Sequence, residues 1–320
     1  MRPQILRTAA LVLTAFASMA ASAEPFRFVA LGDMPYGPKA QVYPPFEALI
    51  DKINNADPAF SIHVGDTKSG GSLCDDVMLA EQLAFMNRFQ SALVYTPGDN
   101  EWTDCHREDA GGFDPVERLA RIRQMYFYEA KSLGQAPLAL ERQADLFDGY
   151  PEYVENARFI YNDVAFVTAH VVGSNNNFEP RDPKAVAEFY ARDEANIFWT
   201  VDSFAKAKEQ GAKAVVMAIH AQVFDAKTYY ADFPRHSGHK AWVDAFLAAA
   251  DSFGGPVLLI HGDSHVFKID RPFRKNRKRV ENVMRLEVFG AREMHAVEVT
   301  VDPDSADPFG FRPLLNPYRP

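Results

Sequence analysis

Four Gly-Asp pairs, each at the end of a short apolar run, constrain the fold of this chain most strongly. They occur in the segments FVALGD, IHVGD, YTPGD and LLIHGD, which end at Asp33, Asp66, Asp99 and Asp263. A short apolar run bounded by glycine is typical of a buried parallel strand. In open α/β sheets the ligand crevice lies beyond the carboxyl ends of the strands. We therefore expect the four carboxylates to converge there, around a positive partner that is most simply a metal cluster.

The first 23 residues have the pattern of a signal peptide. Arg2 and Arg7 supply positive charge, Thr8–Met19 is apolar, and Ala21-Ser22-Ala23 offers the small residues of a cleavage site. The apolar stretch is shorter than the about 20 residues that a membrane-spanning helix needs. We predict a periplasmic or secreted protein that is cleaved near Ala23 and has no transmembrane segment. An uncleaved membrane anchor is the less favoured alternative.

The rest of the chain is predicted to form one large domain over residues 24–302 and an extended tail over 303–320. Hydrophobic residues make up 47% of the sequence and charged residues 24%, which is ordinary for a globular protein. The net charge of −9 argues against a general nucleic-acid binder, because such proteins neutralise phosphates with Lys and Arg. The sequence does not indicate an oligomeric state.

Strand and helix patterns alternate along the first half of the chain and then give way to hairpin-like strands. The early alternation is typical of βαβ units, and the later hairpins indicate antiparallel pairs in a second sheet. Predicted strands are 26–31, 60–64, 93–95, 158–161, 164–171, 214–219, 256–260, 284–289 and 295–301. Predicted helices lie within 43–55, 76–89, 115–128 and 183–210.

Cys74 and Cys105 are the two cysteines of the sequence. In an exported protein an isolated pair is more often a disulfide than a metal site. Cys74 lies eight residues after Asp66, and Cys105 lies six residues after Asp99. A disulfide would therefore join two loops that both leave the predicted crevice.

Two further segments end apolar runs with histidines. VVMAIH places His220 at a strand end, and LLIHGDSH places His261 and His265 beside Asp263. Carboxylates and neutral imidazoles are suitable ligands for Mn, Fe, Zn or Mg. Two metals about 3.5–4 Å apart, held by a bridging carboxylate, can neutralise a phosphate ester and activate water.

The order of these motifs resembles that of the calcineurin-like metallophosphoesterase superfamily, which includes the purple acid phosphatases. That family has D-x-H, G-D-x-x, G-N-H-[DE], an isolated His and G-H-x-H, each after a strand. This chain has GDMPY, GDTK, GDNE, AIH and GDSH, which span Asp33 to His265. The resemblance implies a four-layer α/β/β/α sandwich of two mixed β-sheets flanked by helices.

The resemblance also implies two metal ions, divalent or trivalent, with Asp66 as the bridge. The first ion would be held by Asp33, Asp66 and His265, with Tyr36 as a further candidate. The second would be held by a set that shares Asp66 with the first: Asp66, Asp99, His220 and Asp263. Because carboxylates replace neutral ligands at Asp99 and Asp263, the site leans towards Mn, Fe or Mg.

Two departures from the family pattern concern metal binding and catalysis. Pro35 stands where the first motif has its His, and Asn100 stands where the third motif has its His. We assign catalytic roles to both Asn100 and Glu101. Asn100 can donate a hydrogen bond to a phosphate oxygen but cannot deliver a proton, so Glu101 is a candidate for the proton donor. Other candidates for the proton donor are three loop histidines: His106, His236 and His239.

The resemblance predicts an exported, metal-dependent phosphoesterase. Its substrates would be small phosphate mono- or diesters, attacked by a hydroxide that bridges the two metals. The alternative is a non-catalytic metal- or phosphate-binding protein on the same fold. The departures at Pro35 and Asn100 are the reason for considering it.

Two other segments admit a functional and a purely structural interpretation. The basic run Arg271–Arg279 could attract an anionic substrate or a phospholipid headgroup, but a solvated hairpin is the favoured interpretation. The run Asn175–Asn177 could line the substrate rim or simply form a turn.

Overall fold

The strands predicted from apolar runs form two mixed β-sheets. The computed structural model describes residues 23–224, 237–275 and 277–318; the predicted signal peptide lies outside these ranges except for Ala23. The strands are β1 (Phe26–Leu31), β2 (Phe60–His63), β3 (Ala92–Tyr95), β4 (Leu133–Gly134), β5 (Glu141–Arg142), β6 (Ala157–Tyr161), β7 (Val164–Thr168), β8 (Ala214–Ala218), β9 (Val257–His261), β10 (Lys268–Asp270), β11 (Arg274–Lys275), β12 (Lys278–Arg279), β13 (Val283–Glu287), β14 (Ala296–Val301) and β15 (Phe309–Leu314).

The first sheet has the strand order β15-β14-β1-β2-β3-β4, and the second has the order β10-β13-β9-β8-β7-β6-β5. Strands β1, β2 and β3 are parallel to one another, as are β7, β8, β9 and β13. The outer strands of both sheets pair antiparallel. Strands β11 and β12 form a separate two-stranded hairpin.

Five helices of more than ten residues cover the two outer faces in the described part of the chain. The five are Lys39–Ala56, Asp76–Met86, Pro115–Tyr126, Pro183–Glu209 and Lys240–Phe253. Shorter elements are the four-residue helix Gln143–Leu146 and a 3₁₀ turn at Thr103–His106. In the described ranges, no helix is long and apolar enough to cross a membrane.

Three apolar layers hold these elements together. Residues such as Phe28, Phe60, Phe166 and Leu258 fill the space between the two sheets. Leu49 and Ile122 belong to the layer between the first sheet and its helices. The matching layer on the second sheet is built from larger rings: Trp199, Trp242 and Phe246. The predicted four-layer α/β/β/α sandwich is therefore confirmed.

Several elements differ from the sequence prediction. The helix Lys240–Phe253 was not predicted, although Trp242, Phe246 and Ala250 follow helical spacing and are buried. The helix predicted within 76–89 ends at Met86, and its apolar residue Val77 is 62% exposed in the first turn. Within the predicted tail 303–320, β15 pairs with β14 and extends the first sheet.

Candidate metal centre

The carboxyl ends of the two sheets meet at one edge of the sandwich. Asp33, Asp66 and Asp99 follow β1, β2 and β3 of the first sheet, while His220 and Asp263 follow β8 and β9 of the second. Asp33, Asp66, Asp99 and His220 are at most 6% exposed. The sandwich therefore assembles its candidate ligands from both sheets.

Backbone conformation explains why Asp follows Gly at these strand ends. Asp33, Asp66 and Asp263 have φ of 55°, 55° and 76°. This left-handed region is unfavourable for most residues, but the short polar side chain of Asp tolerates it. The chain can thus turn sharply after each strand and direct the carboxylate back towards the sheet edge.

The glycines of the motifs make room for carboxylates from other motifs. A Cβ on Gly262 would lie 2.1 Å from Asp33 Oδ2, and a Cβ on Gly98 would lie 2.1 Å from Asp66 Oδ1. Both distances are far inside van der Waals contact. Each of these two motifs therefore packs against the carboxylate of a partner motif, which accounts for the Gly-Asp pairing.

Two groups of ligand atoms lie close enough to hold a metal ion. In one group, atoms of Asp33, Asp66 and His220 lie within 4.8 Å of one another; in the other, atoms of Asp99, His220 and Asp263 do. His220 Nε2 is 2.9 Å from Asp99 Oδ1 and 3.4 Å from Asp66 Oδ1. The structure brings five sequence-predicted ligands together, with His220 rather than Asp66 common to both groups.

Unpartnered buried atoms fit a cation at this place. Asp33 Oδ2, Asp99 Oδ1 and His220 Nε2 are buried and make no well-aligned hydrogen bond. A buried polar atom without a partner is costly, and a buried charge more so. His220 Nδ1 is 2.7 Å from the carbonyl of Val64, which fixes the ring so that Nε2 faces the carboxylates. The donor set of carboxylates and one imidazole suits a divalent or trivalent metal.

Burial and mutual repulsion shift the pKa values of these groups. Burial raises the pKa of Asp33 to about 8 and that of Asp263 to about 6, and it raises that of Asp66 well above its usual value. Burial opposes charge on His220, but Asp66 and Asp99 raise its pKa well above 6.5. Burial also opposes charge on Asp99, yet the close contact with His220 lowers its pKa. A bound cation would favour the ionised carboxylates.

Asp66 is held by Tyr36 and Asn100. The Tyr36 hydroxyl donates to Asp66 Oδ2 at 2.6 Å, and Asn100 Nδ2 lies 2.6 Å from the same oxygen. The Asn100 backbone N–H donates to Asp66 Oδ1 at 2.9 Å, and Asn100 Nδ2 also lies 2.8 Å from the Tyr36 oxygen. Burial raises the pKa of Tyr36 well above 10, so its phenol remains a donor to Asp66.

Glu101 lies behind Asp66 and is fully buried. Its carboxylate accepts hydrogen bonds from the backbone N–H groups of Asp66 and Thr67 at 3.2 and 2.8 Å, and from the Tyr95 hydroxyl at 3.0 Å. These contacts shape the loop that carries Asp66. They place Glu101 as a support of that loop.

His265 lies at the rim of the centre. Its Nε2 is 3.6 Å from Asp33 Oδ1, and its side chain is 28% exposed. Burial lowers the pKa of His265, which favours the neutral, ligand-competent imidazole. The buried carboxylate of Glu287 accepts hydrogen bonds from the Ser264 hydroxyl and, at 3.2 Å, from the Val266 backbone N–H, and so supports the loop of His265. Sequence reasoning missed Glu287 because it lies within a strand.

Ser174 was also missed, although the neighbouring asparagines were noted. Its hydroxyl lies 2.8 Å from Asp99 Oδ2 and 2.8 Å from Asp104 Oδ1. A Cβ on Gly173 would lie 2.4 Å from Asp99 Oδ1, so the same segment packs tightly on the centre. No strand leads directly into Ser174, and therefore no strand-end pattern pointed to it.

Ser174–Asn177 form one turn of left-handed helix. Their φ values are 47°, 54°, 58° and 59°. A left-handed helix costs roughly 1–2 kcal/mol per non-glycine residue, so the surrounding contacts must impose it. Asn176 and Arg192 are fully buried, and Arg192 Nη1 donates to Asn176 Oδ1 at 2.6 Å. Arg192 Nη2 donates to the Asn176 carbonyl at 3.0 Å. This contact fastens the turn to the long helix Pro183–Glu209.

A cavity of about 540 Å³ adjoins the centre at Ser174. Asp104, His106, Arg107 and Phe178 are among the residues that line it. Burial raises the pKa of Asp104 to about 6. This cavity adjoins Asp99 through Ser174, whose hydroxyl lies 2.8 Å from Asp99 Oδ2.

The histidines considered as proton donors lie in different places. His106 is exposed and lines the cavity. His239 is buried, and its Nε2 is 2.9 Å from the carbonyl of Val172. His236 lies outside the described residues. Of the two described histidines, His106 therefore shares the cavity with Ser174, whereas His239 is engaged by the backbone.

The disulfide between Cys74 and Cys105 is present, and both cysteines are buried. It closes a segment that includes both Asp99 and Asn100 and links the loops after Asp66 and Asp99, as the spacing predicted. Cys105 Sγ lies 3.2 Å from the carbonyl of Glu101. The disulfide is thus part of the scaffold next to the centre.

Comparison with known proteins shows similarity in structure. No protein-family model and no curated protein sequence matches the chain. The fold matches a structure of PhoD with a TM-score of 0.55 and 12% sequence identity, covering 88% of this chain and 65% of PhoD. It also matches purple acid phosphatase PPD1 from yellow lupin (Lupinus luteus) seeds, with a TM-score of 0.52 and 11% identity, covering 91% and 54%.

The chain spans less than two thirds of the length of either structure. These likenesses concern the fold, and they agree with the order of the motifs. The predicted resemblance is thereby confirmed at the level of architecture: this chain shares its two-sheet fold with the structures of PhoD and the lupin purple acid phosphatase.

Proposed function

We propose that this chain is an exported, metal-dependent phosphoesterase that hydrolyses small phosphate mono- or diesters. One observation carries the proposal: the buried carboxylates of Asp33, Asp66 and Asp99 and the half-buried carboxylate of Asp263 surround His220 at the carboxyl ends of both sheets. The fold shared with a purple acid phosphatase supports it. The N-terminal pattern of residues 1–23 supports export.

Asp33, Asp66, Asp99, His220 and Asp263 would hold the metal ions, with His265 and Tyr36 at the rim. When bound, the ions would neutralise charge on the phosphate and lower the pKa of a water molecule. Mn, Fe, Zn and Mg are all compatible with this donor set, and its carboxylate content favours Mn, Fe or Mg.

The other residues would orient the reacting groups. Tyr36 and Asn100 hold Asp66 Oδ2 through hydrogen bonds, and Glu101 fixes the loop from behind. The cavity beside Ser174 would take the alcohol part of the ester. Asp104 and His106 line that cavity, and each is a group that can carry a proton to the leaving oxygen.

The test uses the mature chain, Asp66→Asn and the control Asp51→Asn on an exposed helix position. We expect wild type and the control to bind metal, measured by elemental analysis after dialysis, and to hydrolyse aryl phosphate mono- or diesters. Asp66→Asn should lower the metal content, and it should lower kcat/KM by at least about a hundredfold. Equal activity of Asp66→Asn and wild type would contradict the proposal.

A second candidate is a metal- or phosphate-binding protein without turnover. The observation that favours it is the engagement of both Asn100 and Glu101 with the Asp66 loop, which leaves the predicted third-motif residues in supporting positions. Metal binding lost in Asp66→Asn, with no ester hydrolysed by wild type, would select this function over the enzyme.

A further inference from the structure

The basic run Arg271–Arg279 forms an exposed hairpin that the candidate metal centre does not use. Six of the chain's 34 Lys and Arg fall within these nine residues, although the whole chain has a net charge of −9. Five of the six are exposed: Arg274, Lys275, Arg277, Lys278 and Arg279. The hairpin is thus a concentrated positive patch on an acidic protein.

The pairing of the hairpin places like charges opposite each other. Arg274 faces Arg279, and Lys275 faces Lys278, in the antiparallel pair of β11 and β12. Directly opposed like charges destabilise such a pair. Lys275 lies 3.1 Å from the exposed carboxylate of Asp251. Among the described residues, no carboxylate forms an ion pair with Arg274, Lys278 or Arg279. An external anion would relieve this repulsion.

The base of the hairpin is fixed to the protein core. Phe273 is 6% exposed and its ring lies 4.9 Å from that of Phe224 and 5.9 Å from that of Phe246. The Val280 backbone N–H donates to the Phe273 carbonyl at 3.0 Å. The cations are therefore displayed on an anchored support, which lowers the conformational entropy lost on binding.

The hairpin lies at the opposite end of the second sheet from the candidate metal centre. It connects β10 to β13, and Val283 at the start of β13 pairs with Val257 at the start of β9. Asp263 follows the other end of β9. A partner bound at the hairpin would leave the candidate centre open to solvent.

We propose that the hairpin Arg271–Val280 docks this protein onto anionic phospholipid headgroups. Clusters of Lys and Arg bind such surfaces electrostatically, and a small tip can contact a planar array of headgroups. Duplex nucleic acid requires a broader positive face, whereas Asp251, Glu281 and Asp307 flank this hairpin. Single-stranded nucleic acid is usually bound through exposed aromatic rings, and Phe273, the hairpin's aromatic residue, is buried.

The experiment measures co-sedimentation with vesicles of phosphatidylcholine alone or mixed with phosphatidylglycerol. The test variant replaces four cations by serine: Arg274, Arg277, Lys278 and Arg279. The control replaces four exposed lysines elsewhere by serine and so has the same net charge: Lys52, Lys131, Lys184 and Lys240.

We expect wild type and the control to bind the phosphatidylglycerol vesicles at low salt, and neither to bind phosphatidylcholine alone. Each basic residue near an anionic surface contributes about fivefold in affinity, so the hairpin variant should bind at least about a hundredfold more weakly. Added salt should release wild type, because it screens charges beyond about 10 Å at 0.1 M.

Three outcomes would overturn the proposal. They are failure of wild type to bind anionic vesicles, equal binding by the hairpin and control variants, and tighter binding of wild type to duplex DNA than to the vesicles. Far-UV circular dichroism and melting curves check that both variants fold. The single changes Lys278→Ser and Arg279→Ser perturb the protein less, and each should weaken vesicle binding about fivefold. None of these outcomes depends on the proposed hydrolysis.

Discussion

His220 Nε2 lies 2.9 Å from Asp99 Oδ1 across the interface between the two sheets. The contact joins the carboxyl end of β3 in the first sheet to that of β8 in the second. It also sets the electrostatics of the centre, because His220 is the one imidazole shared by both groups of candidate ligands.

Stability without metal should fall as the pH rises. The folded-state pKa values of Asp33 and Asp263 are raised to about 8 and about 6, and that of His220 is raised as well. Groups with raised pKa values stabilise the fold below their unfolded pKa and lose this contribution as the pH rises through the folded pKa. Asp99, whose pKa is lowered, gives its contribution above the unfolded value and loses it only in acid.

We therefore expect the melting temperature of chelator-treated protein to decrease between pH about 6 and about 8. Added Mn²⁺ should raise the melting temperature more at the higher pH, because metal binding displaces protons from the ligands. Differential scanning fluorimetry across this range measures both effects. Asp33→Asn should flatten the decrease, whereas a chelated wild type that gains stability towards pH about 8 would contradict the pKa assignments.

The Ser174 hydroxyl should stabilise the fold through its hydrogen bond beside Asp99, a member of the second group of candidate ligands. It donates to one of two buried carboxylates, Asp99 and Asp104, and lies 2.8 Å from each. Hydrogen bonds to charged groups are worth about 1.5–3 kcal/mol, so Ser174→Ala should lower the free energy of unfolding by about 2 kcal/mol. Urea denaturation measures it, with the exposed Ser252→Ala as control. An effect of Ser174→Ala no larger than that of the control would show that the contact is not important.

Asn176 should stabilise the left-handed turn Ser174–Asn177. Its side chain accepts from Arg192 at 2.6 Å and donates to the Gly238 carbonyl at 3.0 Å, while its φ is 58°. Asn176→Ala should cost about 3–4 kcal/mol, because it leaves Arg192 underbonded and puts alanine in a left-handed conformation.

Asn176→Gly removes the same hydrogen bonds but tolerates positive φ. It should therefore be less destabilising than Asn176→Ala by about 1 kcal/mol in chemical denaturation. If glycine were as harmful as alanine, backbone strain would not be part of the energetics of this turn.

The disulfide should stabilise the loops next to the centre. Cys74 and Cys105 are 31 residues apart, and closing a loop of this size is worth about 3–4 kcal/mol in the chain-entropy model. Replacing both cysteines by serine should lower the free energy of unfolding by this amount. Reductant should lower the melting temperature of wild type but leave that of the double variant unchanged, and the opposite pattern would count against the prediction.

Much of the architecture was predictable because its signals are local. The apolar runs before Asp33 and Asp66 match β1 and β2 closely, and the spacing of Phe46, Leu49 and Ile53 identifies the first helix. The long helix Pro183–Glu209 was also predicted within one residue. The helix Lys240–Phe253 shows that a comparable periodic signal was overlooked.

The amino-acid sequence by itself determined the strand ends, the order of the motifs and the fold class. Strand and helix periodicity arises within a few residues, and parallel strands place their carboxyl ends at one edge. Only the tertiary structure decided that His220 belongs to both ligand groups, that Glu101 lies behind Asp66, and that Ser174 contacts Asp99. These relationships join residues distant in sequence, and their geometry follows from how two sheets pack, which no local pattern encodes.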